Sequence, residues 1–158
     1  MTHTVKDGVR SLEFNGDLLA ESSSQSRGKS RWVEFRLYRT ESGVFIISRI
    51  GLSNLYHADI CPVVTRNRLS PIDGAELTSI YQPCPECHPS IIAIEGVFPE
   101  TPRPWAQVCQ NGAGVVASLM KVDNNGTEYL TNVARRLLEE ASLYDDEIKK
   151  AYLMEYID

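Results

Sequence analysis

The feature that most constrains this chain is a pair of short cysteine-containing motifs between residues 55 and 89. The first motif places three residues between His57 and Cys61, and the second places two between Cys84 and Cys87. Together they supply four nitrogen or sulfur ligands, the set that a closed tetrahedral zinc site requires. The sequence therefore predicts one structural zinc ion bound by His57, Cys61, Cys84 and Cys87. The alternative is that the cysteines are ordinary buried thiols and His57 is a surface histidine.

Two neighbouring residues compete for roles at this site. His88 directly follows Cys87, but adjacent residues rarely ligate one ion, so an exposed or supporting role is expected for it. Cys109 lies outside both motifs and is predicted to be a small buried hydrophobe. The flanking prolines stiffen the second motif, and the 22 residues between Cys61 and Cys84 are expected to form a loop that the metal closes.

The two motifs resemble a known family. Leu-Tyr-His-Ala-Asp-Ile-Cys-Pro, then Asn67, then Gln-Pro-Cys-Pro-Glu-Cys-His-Pro is similar to the small metal-binding module of Ada-type DNA methylphosphotriester repair proteins, and to the related module of some bacterial nucleases. The resemblance implies that His57, Cys61, Cys84 and Cys87 take the four ligand positions. The repair proteins carry a methyl-accepting cysteine where this chain has His57. Because an imidazole cannot act as that thiolate, the resemblance favours a structural zinc over repair chemistry.

Length and composition predict an ordinary globular protein. The chain has 158 residues, of which 42% are apolar and 23% charged, as in one domain with or without an appendage. No apolar run approaches the roughly 20 residues that span a bilayer, and no secretory signal is visible at the N-terminus. We therefore expect a cytoplasmic protein without a membrane partner. Thiols stay reduced there, so clustered cysteines favour metal binding over disulfides.

Hydrophobic periodicity predicts an antiparallel sheet in the first part of the chain. Residues 31–39 alternate in polarity, and the β-branched run at 44–50 is expected to pair with them. Residues 11–22 are predicted to form either a short hairpin at an internal Asn-Gly pair or one bulged strand. Residues 1–10 are expected to be loose. A further strand is predicted over 90–98, and a helical turn or short strand over 75–80.

Helices are predicted after a proline-rich boundary formed by Pro99, Pro102 and Pro104. The apolar spacing predicts helices over 113–121, from a cap at Asn125 or Thr127 to Ala141, and over 147–156 with Asp145 as the cap. The fold class is therefore α+β, with a small antiparallel sheet, a zinc-stapled loop and a three-helix C-terminal part. The predicted domains are a zinc-stapled β-rich domain, 1–98, and a helical C-terminal subdomain, 104–158.

The charge is distributed unevenly. Residues 27–68 carry eight basic and three acidic groups, whereas residues 91–158 carry six and eleven, and the whole chain has a formal charge of −5. Basic groups interleaved with aromatic ones suit phosphate neutralisation and base stacking. The alternative is a set of ordinary solvated strand faces. The residues expected to bind nucleic acid are Arg31, Trp32, Arg36, Tyr38, Arg49, Arg66 and Arg68.

Three classes of function follow from these observations. The first is a non-enzymatic zinc-binding module that recognises a macromolecule, with nucleic acid as the expected partner. The second is a protein-binding adaptor or inhibitor that uses the acidic C-terminal helices. The third is an enzyme, which is disfavoured because there is no phosphate-binding loop or nucleophile motif and four protein ligands leave no position for a catalytic water.

Overall fold

The computed structural model describes residues 1–73, 76, 80–87 and 96–153, and within them the chain has a mixed α/β architecture. The described strands are Thr2–Asp7 (β1), Arg10–Ser23 (β2), Arg31–Thr40 (β3), Phe45–Ser53 (β4), Leu55–His57 (β5), Gln82–Pro83 (β6), Phe98–Pro99 (β7), Arg103–Cys109 (β8), Lys121–Val122 (β9) and Glu128–Tyr129 (β10). The described helices are Pro62–Arg66 (α1), Gly112–Leu119 (α2), Asn132–Ser142 (α3) and Asp146–Leu153 (α4).

The chain divides into two compact units, each built from separate segments. Unit 1 consists of Met1–Ser24, Val33–Ile50 and Pro104–Asp158, and unit 2 consists of Gln25–Trp32 and Gly51–Arg103. These units differ from the predicted domains at 1–98 and 104–158. The helices that follow residue 104 belong with the N-terminal strands because their apolar faces pack on the sheet.

Unit 1 is organised around a curled antiparallel sheet in the order β1-β2-β3-β4-β8. The sheet curls so that its two end strands, β1 and β8, approach each other. A hydrogen bond at this point runs from the Gly8 N–H to the Pro104 carbonyl at 3.0 Å. The main core lies between this sheet and helices α2, α3 and α4. Its largest fully buried members are Leu37, Phe45, Ile47, Leu137, Leu138 and Ile148.

The N-terminal residues are ordered as a strand, so the prediction of a loose start was wrong. Strand β1 pairs antiparallel with β2 through a turn in which Gly8 has a φ of 61°. The loop is the pair Gly8-Val9, and glycine at its first position adopts positive φ without steric cost. The first ten residues are therefore part of the main sheet.

Residues 11–22 lie within one bulged strand, which was one of the two predicted alternatives. The pairing of β2 with β3 shifts register between Leu18 and Ala20. The Asn-Gly pair makes no turn here. A Cβ at Gly16 would lie 2.2 Å from the Arg39 carbonyl oxygen, so glycine serves the close approach of a neighbouring strand.

The helices begin where side chains cap them. Asn111 caps α2, and Thr131 caps α3 by accepting the Ala134 N–H at 3.3 Å. The predicted caps at Asn125 and Thr127 were wrong, because that segment forms the short β9–β10 hairpin. Asp145 accepts the Ile148 N–H at 3.0 Å and caps α4, as predicted.

Some predicted helices and strands lie in parts of the chain that the structure does not describe. The segments 75–80 and 90–98 lie largely outside the described residues, as do the last residues of the helix predicted over 147–156. Among the described helices, none has both the length and the apolar character needed to cross a membrane.

Candidate metal centre

A three-stranded sheet in unit 2 positions the first two candidate ligands. Strand β5 lies in the middle, parallel to β6 and antiparallel to β7. His57 ends β5 and Cys84 directly follows β6, so the parallel register brings the two residues to the same end of the sheet. The Cys84 N–H donates to the Tyr56 carbonyl at 2.9 Å, which fixes this arrangement.

Tight turns position the other two candidate ligands. The Cys61 N–H donates to the Ala58 carbonyl at 3.0 Å, and Pro62 then begins α1. The Ala58 N–H donates to the Cys87 sulfur at 3.4 Å. One turn thus supports both a cysteine of the first motif and a cysteine of the second.

The four predicted ligands lie together and can hold a metal ion. Their donor atoms are all within 4.8 Å of one another, and three of the four residues are buried, with Cys87 half-buried. His57 Nδ1 lies 3.4 Å from the Cys61 sulfur and 4.0 Å from the Cys87 sulfur. Neighbouring ligands of a tetrahedral ion with bonds of about 2.0–2.3 Å are about 3.5–3.8 Å apart, so these distances fit such a site.

Glu100 orients the histidine. Its carboxylate lies 2.7 Å from His57 Nε2, on the side of the ring away from the cysteines. An N–H at Nε2 that donates to this carboxylate leaves the lone pair of Nδ1 directed at the thiols. Carboxylate partners of this kind fix the tautomer and raise the basicity of ligating histidines. Arg31 holds the carboxylate in turn, with contacts of 2.9 and 2.5 Å.

Burial and hydrogen bonds shift the pKa values of the cysteine thiols and the Glu100 carboxyl group in opposite directions. Burial raises the pKa of Cys84, but hydrogen bonds from the N–H groups of Cys87 and Glu86 and with the Cys87 and Cys61 thiols together outweigh it, and the pKa of this thiol is lowered. Burial, together with the neighbouring thiols, raises the pKa of Cys87 to about 11. Burial also opposes ionisation of Glu100, yet hydrogen bonds from Arg31 and His57 lower its pKa to about 2. Glu100 is therefore a fixed negative charge behind the ligand set.

Helix α1 ends in a Schellman motif that carries basic residues. Arg68 has a φ of 51°, the left-handed conformation that ends many helices. The Arg68 N–H donates to Thr65 at 3.3 Å, and the Leu69 N–H donates to Val64 at 3.0 Å. Leu69 and Val64 also pack in the hydrophobic cluster around the cysteines, so the motif fixes the position of Arg66.

Of the residues predicted to bind nucleic acid, four belong to unit 2. Arg31 and Arg66 line one pocket there, together with Arg103 and Glu100. Arg68 is exposed beside Arg66 in the sequence, and Trp32 is half-buried.

The other three belong to unit 1. Arg36 is exposed and lies 3.3 Å from a Glu21 carboxylate oxygen, and Arg49 lies over the Phe35 ring at 6.0 Å. Tyr38 is only 4% exposed, in a second small cluster with Val5, Ile46 and Ala106. Tyr38 was expected to offer an exposed ring for base stacking, but its ring is packed in this cluster instead.

Two further residues, Cys109 and His88, were considered in the sequence as possible participants in the site. Cys109 is buried in the main core of unit 1, as predicted. His88 lies outside the described residues. Two contributors to the site were not predicted, namely Glu100 and Arg103. Both lie in the proline-rich segment, and no spacing rule connects either of them with the metal motifs.

No family model, curated protein or solved structure matches this chain. The geometry of the four-residue cluster and the chemistry of the side chains around it are therefore the basis for assigning a function.

Proposed function

We propose that unit 2 is a zinc-stabilised, non-enzymatic module that recognises nucleic acid. The donor set supports zinc, because one imidazole and three thiolates suit this ion, whereas Mg²⁺ and Ca²⁺ take oxygen ligands. Four protein donors complete a tetrahedral shell and leave no position for a catalytic water. The metal then closes the loop between Cys61 and Cys84, and its role is structural.

The likeness to the Ada-type module belongs to the same proposal. It supports the ligand assignment of His57, Cys61, Cys84 and Cys87. Methyl transfer is not part of the proposal, because a buried histidine that donates to Glu100 stands at the position of the acceptor cysteine.

The observation that carries nucleic-acid recognition is the exposure of uncompensated arginines on unit 2. Arg66, Arg68 and Arg103 are exposed and make no ion pair with any residue in the described ranges. Guanidinium groups bind phosphate oxygens in a bidentate manner and are weakly hydrated, so they suit a nucleic-acid backbone. We leave Tyr38 out of the proposed surface because it is buried.

Fluorescence anisotropy with 12-nucleotide single strands and duplexes of DNA and RNA, all with hydroxyl ends, tests this proposal. Three phosphate contacts on a single strand predict that affinity falls about 20-fold between about 50 and 200 mM salt. The double substitution R66Q/R68Q is expected to weaken binding about tenfold, whereas Arg10→Gln, which removes one exposed arginine from unit 1, is the control for loss of a charge outside unit 2. Absence of binding to every oligonucleotide at about 50 mM salt would reject nucleic-acid recognition.

A second candidate function, protein binding by the acidic helices, is favoured by one surface feature of unit 1. Leu143 and Tyr144 are adjacent between α3 and α4 and are 75% and 71% exposed. Such exposed apolar groups mark interaction sites when they cluster. Quantitative affinity purification with wild type and the L143S/Y144S variant tests it. An identical partner list from both proteins would reject it.

A further inference from the structure

A pocket of about 390 Å³ in unit 2 is lined by groups that suit an anion. Its basic members come from separate segments, since Arg31 begins β3, Arg66 ends α1 and Arg103 begins β8. Asn67 and Thr101 add polar groups to the lining. A volume near the lower end of the usual range for small-molecule sites, about 300–1,000 Å³, fits a ligand of nucleotide size.

The charge of the pocket is positive after its internal ion pair is counted. Glu100 is engaged by Arg31 and by His57, and its side chain is 8% exposed. Three guanidinium groups against one carboxylate leave a formal charge of +2. Arg66 and Arg103 make no ion pair with a described residue, so their donors remain for a ligand.

The backbone around the pocket is compatible with an anion. A helix C-terminus normally repels negative charge through its unpaired carbonyl groups. At the end of α1, however, the carbonyls of Val63, Val64 and Thr65 accept N–H groups of the following residues. Arg103 lies against the backbone of Gly51, where an added Cβ would come within 3.3 Å of the guanidinium Nε.

We infer that this pocket binds a phosphomonoester dianion, and that it thereby recognises the phosphorylated end of a nucleic-acid strand. The second half of this inference rests on the proposed function. A phosphomonoester carries a charge of about −1.5 to −2, which matches the pocket, whereas an internal phosphodiester carries one negative charge. A concave site bordered by three chain segments accommodates a strand end more easily than a continuous backbone.

The test compares 12-nucleotide single strands that differ only at their ends. Anisotropy is measured at about 100 mM salt with strands carrying a 5′-phosphate, a 3′-phosphate or hydroxyl ends. A terminal phosphate on at least one end is expected to tighten binding about tenfold or more, as charge-assisted bidentate contacts would. Isothermal titration calorimetry with adenosine monophosphate and with inorganic phosphate tests whether the pocket also binds phosphate groups that are not attached to a strand.

Substitutions identify the pocket as the origin of the preference. Arg103→Gln and Arg66→Gln are expected to reduce the preference for phosphorylated ends to less than about threefold. Arg68→Gln removes a neighbouring charge that does not line the pocket. It should therefore lower the affinities for phosphorylated and hydroxyl-ended strands by the same factor and preserve their ratio. Arg103→Lys retains the charge without the fork and is expected to restore only part of the preference. Thermal unfolding and zinc content verify that each variant is folded.

The outcomes separate this inference from the proposed function. Equal affinity for phosphorylated and hydroxyl ends overturns the inference and leaves nucleic-acid recognition standing. Binding of adenosine monophosphate or a phosphoserine peptide that depends on Arg66 and Arg103, without binding of any strand, supports the phosphomonoester pocket and rejects nucleic acid as its source. A preference that survives both Arg103→Gln and Arg66→Gln overturns the pocket. Absence of binding to every probe overturns both proposals.

Discussion

Unit 1 and unit 2 differ in what holds them together. Unit 1 has long strands, up to the 14 residues of β2, and a large apolar core shared by its sheet and three helices. The described strands within unit 2, β5, β6 and β7, have three, two and two residues. Its hydrophobic cluster has five buried members, namely Cys61, Val63, Val64, Leu69 and Cys84, two of which are candidate ligands.

The difference indicates how each unit obtains its stability. Burial of apolar surface contributes about 25 cal/mol per Å², so unit 1 can be stabilised by its core alone. Small units with little core usually need a metal or disulfides, and the cysteines of the described structure are all free thiols. We therefore expect unit 2 to depend on the metal and unit 1 to be independent of it.

Removal of the metal should have the largest effect. A chelator is expected to reduce hydrogen-exchange protection in unit 2 by about 10³-fold or more, because structural zinc contributes roughly 10 kcal/mol or more to such sites. The amides of Cys84 and Glu100, which bond to Tyr56 and Leu55, report on unit 2. Amides of α3 should keep their protection. Equal loss in both units would contradict the separation of their stabilities.

Leu137→Ala tests the opposite side of the comparison. Leu137 is fully buried in the main core of unit 1. Its truncation leaves a cavity and is expected to lower the free energy of unfolding of unit 1 by about 2–5 kcal/mol. Chemical denaturation gives this free energy, and zinc content gives the control. A loss of zinc in a variant that is still folded at room temperature would show that the units are not independent.

Glu100→Ala should weaken the metal centre without removing a ligand. The substitution takes away the acceptor of His57 Nε2 and the partner of Arg31. Loss of such a supporting carboxylate lowers metal affinity by about 10–100-fold, which competition with a chromogenic zinc chelator measures. Glu100→Gln keeps an oxygen acceptor and should recover part of the affinity. Unchanged zinc affinity in Glu100→Ala would show that Glu100 does not support the metal ligands.

Arg68→Gly is expected to have the smallest effect, and a favourable one. Arg68 has a φ of 51°, which glycine adopts at lower cost than arginine. The gain in stability of unit 2 should be about 0.5–1 kcal/mol, measured by denaturation of the zinc-loaded protein. Arg66→Gly, which removes the same charge from a helical position, should instead be destabilising. A destabilised Arg68→Gly variant would contradict the Schellman ending of α1.

The parts of the structure that were predictable are those set by neighbouring residues. The spacing predicted that His57 lies near Cys61 and that Cys84 lies near Cys87, because each pair lies within one turn, whereas the meeting of the two pairs depends on the pairing of β5 with β6. The alternation of β3 and the cap at Asp145 are local in the same sense. These features need no knowledge of the rest of the chain.

The parts that escaped prediction depend on distant segments. Glu100 is 43 residues from His57, and only the antiparallel pairing of β7 with β5 brings them together. Tyr38 and Leu37 are neighbours on β3 and point to opposite faces of the sheet. The burial of Tyr38 depends on residues of β1, β4 and β8 that pack around it. Alternation in one strand identifies two faces without showing what covers each of them.

Zinc content per chain tests the metal centre most directly. Elemental analysis of protein prepared in metal-replete medium should give about one zinc per chain for wild type and a large decrease for Cys84→Ser. Cys109→Ser, which removes a thiol from the core of unit 1, should retain the wild-type content. Fewer than about 0.3 zinc per chain in the wild-type protein would contradict the assignment of His57, Cys61, Cys84 and Cys87 as a zinc site.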